Sequence, residues 1–116
     1  MAGAVGEDAF GRSARDNLAA NGVDIAALRV VGLPTGCAFI TVSAAGENAI
    51  TVASGANLAV SGAALPDALL EGVRVLVLQM EVPPAEALAV AWRARARGAR
   101  VVLNLAPAPG EAEAAL

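Results

Sequence analysis

The chain has 116 residues, of which 57% are hydrophobic, and its formal net charge is −3 with no histidine. This length suits one domain with a modest core. The acidic balance and the 3% aromatic content offer neither a positive field for phosphate backbones nor stacking surfaces for bases, so we expect no nucleic acid partner. The absence of histidine excludes Ser-His-Asp catalysis and histidine metal ligands.

The single cysteine and the lack of a long apolar run indicate the cellular compartment of the protein. Cys37 has no second cysteine to pair with, which fits a reducing compartment, and we interpret it as a small apolar residue. The first residues lack a basic stretch followed by an apolar block, and no run approaches the about 20 residues that span a bilayer. We expect a soluble, cytoplasmic protein with no membrane partner.

The first half begins with a strand over "MAGAVG", residues 1–6, and a helix over "EDAFGRSARDNLAANG", residues 7–22. Asp8 is expected to cap this helix and Gly22 to end it, and "LRVVG" then predicts a second strand. The apolar residues spaced for one helix face are Phe10, Ala14 and Leu18. This part therefore predicts a β-α-β unit.

A period of two begins at Thr35, in "TGCAFITVSAAGENAITVAS", residues 35–54. One face of its first half carries Ala38, Ile40 and Val42, and the other carries Cys37, Phe39 and Thr41. A turn near residues 44–47 and a second alternating run predict an antiparallel β-hairpin. Antiparallel pairing is foreign to a β-α-β layer, so the hairpin is a candidate lid that stands apart from it.

The second half repeats the β-α-β order after a glycine-rich return with a short helix near residues 66–70. The apolar run in "VLVLQMEVPP", residues 75–84, predicts a parallel strand covered on both faces. A helix should follow from Pro84 until Gly98, and "RVVLNLAPAPG", residues 100–110, gives the next strand and loop. The helix residues expected in the core are Leu88, Ala91 and Trp92. The sum is an α/β fold with an inserted hairpin.

Two charged motifs are interpreted as structural. "GEDAFGRS", residues 6–13, approaches the phosphate loop G-x-x-x-x-G-K-[ST], but Arg12 replaces the lysine, and Glu7 with Asp8 would repel phosphate. We favour a capped strand-to-helix turn. A basic cluster lies in and just past the last turns of the last helix, and we interpret it as a solvated face complementing the helix dipole. Its members are Arg93, Arg95, Arg97 and Arg100.

Glu81 is the principal candidate binding residue, because it follows the apolar strand that starts at Val75. Ligands of open α/β sheets collect beyond the carboxyl ends of parallel strands. A carboxylate there accepts hydrogen bonds only, which suits neighbouring hydroxyl donors of a sugar or polyol. The alternative is a charge at the N-terminus of the following helix. Asn104 ends the next strand before Pro107, where it either caps the loop or faces the pocket.

Six segments together resemble the ribokinase family of carbohydrate kinases, in the family's order and over nearly the whole chain. They are "VGEDAFG", "NGVD", "PTGCAFITVSAAGENAI", "SGAN", "LVLQMEVP" and "VVLNLAPAP". The resemblance implies a ribokinase-like, Rossmann-type parallel sheet with helices and an inserted lid. Residues 1–116 would then be one partial α/β domain, the central fragment of such a kinase, with residues 35–54 as the lid.

The resemblance also assigns roles. It implies ATP-dependent phosphorylation of a sugar hydroxyl, with ribose the best guess, by an enzyme that uses ATP and Mg²⁺ and is a homodimer through the hairpin. Glu81 would bind sugar hydroxyls rather than act as the base, and Ala38 and Ile40 would make apolar contact with the sugar. Gly36 and Gly55 flank the hairpin as candidate hinges. Activation by a monovalent cation stays open.

Several family elements have no counterpart in the chain. These are the glycine-rich sugar-binding segment, the Asn-x-x-Glu segment linked to magnesium and phosphate, and the Gly-Ala-Gly-Asp turn whose Asp is the base. Leu105 stands where the family usually shows proline. Phosphoryl transfer depends on positioning and charge neutralisation around the phosphates. We therefore expect no catalytic residue and no metal site in this chain, and a fragment that is inactive alone and prone to association.

Two other functions remain open beside the sugar kinase. The first is a non-catalytic module that binds sugars or dimerises through the hairpin. The second is an α/β nucleotide-binding domain that uses residues 6–13, which ranks last because of its acidic loop. Coding sequence upstream and downstream in the same frame would favour the kinase over the module.

Overall fold

The computed structural model describes residues 1–106, and it contains six strands, two α-helices and three short 3-10 turns in that range. The strands are β1 (Ala2–Gly6), β2 (Ala27–Val31), β3 (Cys37–Val42), β4 (Asn48–Ala53), β5 (Val75–Gln79) and β6 (Arg100–Asn104). The helices are α1 (Ala9–Ala20) and α2 (Pro84–Ala96), and the turns are Gly55–Ala59, Gly62–Ala64 and Asp67–Leu70. The predicted element order is confirmed up to β6. The predicted loop over residues 107–110 lies outside the described residues.

The chain divides into two compact units, Met1–Ala59 and Val60–Leu116. The first contains β1, α1, β2 and the hairpin of β3 and β4, and the second contains β5, α2 and β6. Strands β1 and β2 pair in parallel, β3 and β4 pair antiparallel, and β5 and β6 pair in parallel. The α/β class and the antiparallel hairpin are therefore confirmed, and the single partial domain over residues 1–116 stays a prediction.

Helix α1 begins with the predicted cap, since Asp8 accepts a hydrogen bond from the Gly11 amide at 2.8 Å. Phe10, on the predicted apolar face, is 68% exposed, and the buried residue of this helix is Gly11. A side chain at Gly11 would not fit, since its Cβ would lie 2.2 Å from the Gly6 carbonyl oxygen. The helix therefore approaches β1 through a glycine rather than through an aromatic ring.

Of the three α2 residues expected toward the core, Leu88 and Ala91 are half-buried, but Trp92 is not. Trp92 is 68% exposed, whereas Ala87, Val90 and Ala94, which share one face of the helix, are buried. The core of this second unit consists of Leu70, Val90, Ala94 and Ala99, with Leu65, Val73 and Leu76 packed against it. Small residues on α2 thus allow close packing, and the tryptophan lies at the surface.

Strand β5 is covered on one face within the part of the chain that the structure describes. Leu76 and Leu78 are half-buried, but Val75 is exposed and Val77 is 69% exposed. The expected cover on both faces is therefore not present among residues 1–106, since helix α2 is the element in this unit that packs beside β5 and β6 on one side. An apolar strand face remains open.

The basic cluster of α2 is not uniformly solvated. Arg93, with its side chain 28% exposed, donates to the carbonyl oxygens of Gly62 and Leu65 at 2.6 Å each and, through Nε, to Asp67 Oδ1 at 2.9 Å. Arg97 contacts Asp67 Oδ2 at 2.6 Å. The hydrogen bond from Arg93 is the main cause that lowers the pKa of Asp67. The positive charges of Arg93 and Arg97 lower this pKa further. Two of the four arginines therefore hold the chain that leads into β5.

Replacing Arg93 by Ala is expected to lower the free energy of unfolding by about 1–3 kcal/mol, because two carbonyl oxygens and one carboxylate lose a planar, multidentate donor. Urea unfolding followed by circular dichroism measures the change. The matched control is Arg95→Ala, an exposed position on the same helix, which should change stability by less than about 0.5 kcal/mol. Equal unfolding midpoints for the two variants would contradict a stabilising role for Arg93.

Candidate functional site

Glu81 lies at the carboxyl end of a parallel strand pair. Strand β5 ends at Gln79, which is opposite Asn104 at the end of β6, and Glu81 follows two residues later. The Met80 amide donates to the Ala106 carbonyl at 3.2 Å, and the Glu81 amide donates to the Gln79 side chain. The side chains of Glu81 and Asn104 thus follow neighbouring strands at one end of the pair, where α/β folds bind ligands.

The alternative role for Glu81, a charge near the start of α2, stays open, and another acidic residue lies in the first turn of that helix. Pro83 is the residue before the helix, and the acidic residue of the first helical turn is Glu86. Glu86 Oε2 accepts a hydrogen bond from the Gly62 amide at 2.6 Å. Glu81 is exposed and precedes this turn, and its role in binding a sugar stays a prediction.

Asn104 was expected either to cap its loop or to face the pocket. Within residues 1–106 its side chain makes no hydrogen bond, and it is exposed beside the end of β5. The loop that begins at Pro107 lies outside the described residues. Its place at the pocket edge stays a prediction.

The hairpin presents Ala38 and Ile40 on one face, as predicted. Ile40 pairs with Ile50, and Ala38 pairs with Val52; directly opposed residues share a face. Ile40 is 61% exposed, and Ile50 and Val52 are also exposed. The hairpin of the first unit therefore carries an open apolar face, whose contact with a sugar stays a prediction.

Gly36 and Gly55 lie together at the base of the hairpin. Gly55 has φ +49°, and a Cβ there would lie 2.3 Å from the Pro34 carbonyl oxygen and 3.1 Å from the Gly36 nitrogen. A Cβ at Gly36 would lie 2.7 Å from the Ser54 carbonyl oxygen. The two chain segments that enter and leave the hairpin approach so closely that both positions need glycine. Their role as hinges stays a prediction.

Sequence reasoning missed a hydrogen-bond network that joins Asp8 to Thr35. Asp8 Oδ2 accepts from the Thr35 amide at 2.7 Å, and Asp8 Oδ1 accepts from the Thr35 hydroxyl at 2.7 Å. The Gly6 amide donates to Thr35 Oγ1 at 2.9 Å. The acidic helix cap and the threonine just before the hairpin were each visible in the sequence. Because 27 residues separate them, the sequence did not indicate that they are in contact.

The same network explains the motif that approaches a phosphate loop. The Gly6 amide is bonded to Thr35 and the Gly11 amide to Asp8, so these two donors are engaged within the chain. A phosphate loop instead directs its amides toward the anion. The structure therefore supports the capped strand-to-helix turn.

The Thr35 amide, the Gly11 amide and the Thr35 hydroxyl together lower the pKa of Asp8 from 3.8 to about 2. Because the folded state lowers this pKa, the carboxylate stabilises the fold above about pH 4, and that contribution is lost as the pH falls toward about 2. We expect the difference in unfolding free energy between the wild type and Asp8→Asn to shrink over this range in urea titrations. A difference that stays constant with pH would contradict the network.

Among residues 1–106 no group of three or more Cys, Asp or Glu side chains could hold a metal ion. An open cavity of about 250 Å³ in the first unit is lined by Gly6, Glu7, Arg12, Arg15, Asp16 and Val30. None of the predicted sugar-binding residues lines it, and its charges are mixed. No helix of the described range is long and apolar enough to cross a membrane.

Comparisons with known proteins give one consistent family. The sequence model of the pfkB family of carbohydrate kinases matches residues 1–116. The ribokinase of Haemophilus influenzae is 35% identical over 107 residues, which cover 90% of this chain and 35% of that protein. The structure of ribokinase from Cryptococcus neoformans in complex with ADP has a TM-score of 0.81 at 30% identity, covering 96% of this chain and 35% of that chain. Arabidopsis thaliana ribokinase complexed with ribose and ATP has a TM-score of 0.74 at 28% identity, covering 88% and 35%.

Proposed function

The chain belongs to the pfkB family of carbohydrate kinases, and we propose that it supplies the lid and part of the sugar pocket of an enzyme that phosphorylates a sugar hydroxyl with ATP. Ribose is the proposed sugar, since the similar proteins named above are ribokinases. The chain spans 35% of the length of the Haemophilus influenzae relative. The activity therefore belongs to the whole protein that contains these residues.

The placement of Glu81 is the observation that carries this proposal. Its exposed carboxylate follows β5, whose last residue pairs with the last residue of β6. Two neighbouring hydroxyls of a sugar can each donate to one carboxylate, and each hydrogen bond to a charged group contributes about 1.5–3 kcal/mol. In this role Glu81 orients the sugar and takes no proton from it.

The hairpin supplies an apolar cover in the proposed enzyme. Ala38 and Ile40 contact the less polar face of the sugar, and movement about Gly36 and Gly55 closes the site. Closure excludes water, which limits transfer of the phosphoryl group to solvent. ATP and Mg²⁺ are the proposed cosubstrate and metal of the whole protein, and within residues 1–106 no group of three or more Cys, Asp or Glu side chains could hold the metal.

A kinase assay on the full-length protein tests the proposal. Ribose, fructose and related sugars are incubated with ATP and Mg²⁺, with and without K⁺, and ADP release is measured together with sugar phosphate. We expect ribose to be phosphorylated with the highest kcat/KM, and the 116-residue chain alone to transfer nothing. Absence of phosphorylation of every sugar by folded full-length protein would refute the proposal.

A non-catalytic sugar-binding or dimerisation module is the second candidate function. The exposed apolar face of the hairpin, with Ile40, Ile50 and Val52, favours it. Such a module binds sugar or self-associates in the absence of ATP and gives no sugar phosphate in the assay. Coding sequence that continues in frame on both sides of the chain favours the kinase. In either case we propose action in the cytoplasm, which the single Cys37 suits.

We propose a homodimer through the hairpin, and Ile40→Asp on its exposed apolar face tests it. In a two-fold dimer the substitution is present twice, so each interface buries two new carboxylates. We expect the dissociation constant to rise about 100-fold or more, measured by sedimentation equilibrium. The control is Thr41→Asp on the opposite hairpin face, which should leave dimerisation unchanged. An Ile40→Asp protein that dimerises normally would contradict this interface.

A further inference from the structure

The segment that enters the hairpin is fixed at a single residue. Thr35 donates two hydrogen bonds to one carboxylate, because its amide and its hydroxyl both donate to Asp8 at 2.7 Å. Its hydroxyl oxygen also accepts from the Gly6 amide at 2.9 Å. Thr35 is therefore held by the end of β1 and by the residue that caps α1.

The surrounding packing leaves little room for another arrangement. A Cβ at Gly11 would lie 2.9 Å from Thr35 Oγ1, and a Cβ at Gly6 would lie 2.6 Å from the Thr35 nitrogen. Two glycines are thus required for Thr35 to come this close to the strand and the helix. The motif "GEDAFG" brings both glycines and the carboxylate to this point.

The segment that leaves the hairpin is held at the same place. The Ala56 amide donates to the Pro34 carbonyl at 2.7 Å, and Ala56 is fully buried. Gly36 and Gly55 each lie one residue inside these two anchors, at Thr35 and Ala56. Each of the two glycines therefore adjoins a residue that is hydrogen-bonded to another segment.

We infer that Asp8 and Thr35 form a latch, the Asp8–Thr35 latch, that fixes the base of the hairpin to the turn between β1 and α1. A lid that rotates about glycines needs one side of the pivot to stay in place, and the latch provides it. Asp8 is a positioning residue, which acts through Thr35 on Ala38 and Ile40. The effect on sugar binding rests on the proposed function, whereas the fixing of the hairpin base does not.

Asp8→Asn separates the latch from the helix cap. Asparagine caps helices as well as aspartate does, so the bond from the Gly11 amide can be kept. Its amide group, however, brings a donor to a site where the carboxylate accepts from the Gly11 amide and from both Thr35 donors. The matched control is Asp16→Asn, the same substitution at an exposed position of the same helix.

The thiol of Cys37 reports on the latch without any sugar. It is half-buried two residues beyond Thr35, where its Sγ donates to the Thr35 carbonyl at 3.4 Å, and it is the chain's only cysteine. We expect 5,5′-dithiobis(2-nitrobenzoate) to modify Cys37 about 10-fold faster in full-length Asp8→Asn, with the site located by peptide mass spectrometry. Wild-type rates in Asp8→Asn would overturn the latch, whatever the outcome of the kinase assay.

The kinetic readout tests the consequence for the lid. A looser base should raise the KM for sugar about 10-fold while the KM for ATP is unchanged, because the lid contacts the sugar. Thr35→Ser keeps the hydroxyl and should retain the wild-type KM for sugar. Thr35→Val, which lacks the hydroxyl, should raise this KM as Asp8→Asn does. A parallel fall in kcat with both KM values unchanged, or an inactive Thr35→Ser, would assign the network to folding alone and overturn the positioning role.

Discussion

Gly11→Ala is expected to lower the free energy of unfolding by about 3 kcal/mol, although alanine is the better helix former. Position 11 is the third residue of α1, where helix propensity alone favours alanine by about 1 kcal/mol. The new methyl group would lie 2.2 Å from the Gly6 carbonyl oxygen and 2.9 Å from Thr35 Oγ1. Since the first contact is with backbone, relief requires α1 to move away from β1, and overpacking of this kind typically costs about 1–3 kcal/mol.

The movement would also lengthen the hydrogen bonds that hold Asp8 and Thr35, which adds to the packing cost. Urea unfolding of Gly11→Ala measures the sum. Gly32→Ala is the matched control in the same unit, because no described atom lies within 4 Å of its Cβ position and its φ is not positive. The control should leave stability unchanged within about 0.5 kcal/mol. Equal stability of the two variants would show that α1 does not approach β1 this closely.

Sequence patterns predicted the elements well where the signal is local. The strict alternation between Thr35 and Ser54 predicted the hairpin, because a period of two places alternate residues on opposite faces. Pro84 and Gly98 bracketed α2 because proline suits a first helical turn and glycine suits the residues after a helix. These features depend on neighbours in the chain, which the sequence displays directly.

Burial was harder to predict, because it depends on what packs against an element. Phe10 and Trp92 are the largest apolar residues of their helices, yet both are 68% exposed in the described part of the chain. The helices instead turn Gly11 and Ala94 inward, where small size permits close approach. Periodicity identifies the possible faces of a helix and leaves open which one meets a neighbour.

In the candidate site too, features with a local signal could be predicted and contacts between distant residues could not. Glu81 could be proposed from the sequence because the end of an apolar strand is a local signal with a known functional meaning. The Asp8–Thr35 latch was not found, since its two residues belong to different elements and meet through the fold. Acidic and hydroxyl residues near glycines occur in many turns, so neither residue alone indicates a contact with the other.

Glu81→Ala is expected to weaken sugar binding by the full-length enzyme by about 10- to 100-fold, through loss of one or two hydrogen bonds to a charged acceptor. ATP affinity should be little changed, because the proposed role of Glu81 is confined to the sugar hydroxyls. Isothermal titration calorimetry with ribose and, separately, with ATP measures both. Glu81→Gln should have a smaller effect, since one side-chain oxygen still accepts a hydrogen bond.

Glu71→Ala is the matched control, because it removes an exposed carboxylate from the same unit. Glu71 accepts from Arg97 at 3.1 Å, a surface ion pair that contributes about 0–1 kcal/mol to stability. Its loss should leave ribose affinity unchanged. If Glu81→Ala also binds ribose with wild-type affinity, the carboxylate at the end of β5 does not bind the sugar, and the lid alone would remain as the chain's contribution to the pocket. A sugar affinity that falls equally in both variants would instead indicate a general charge effect.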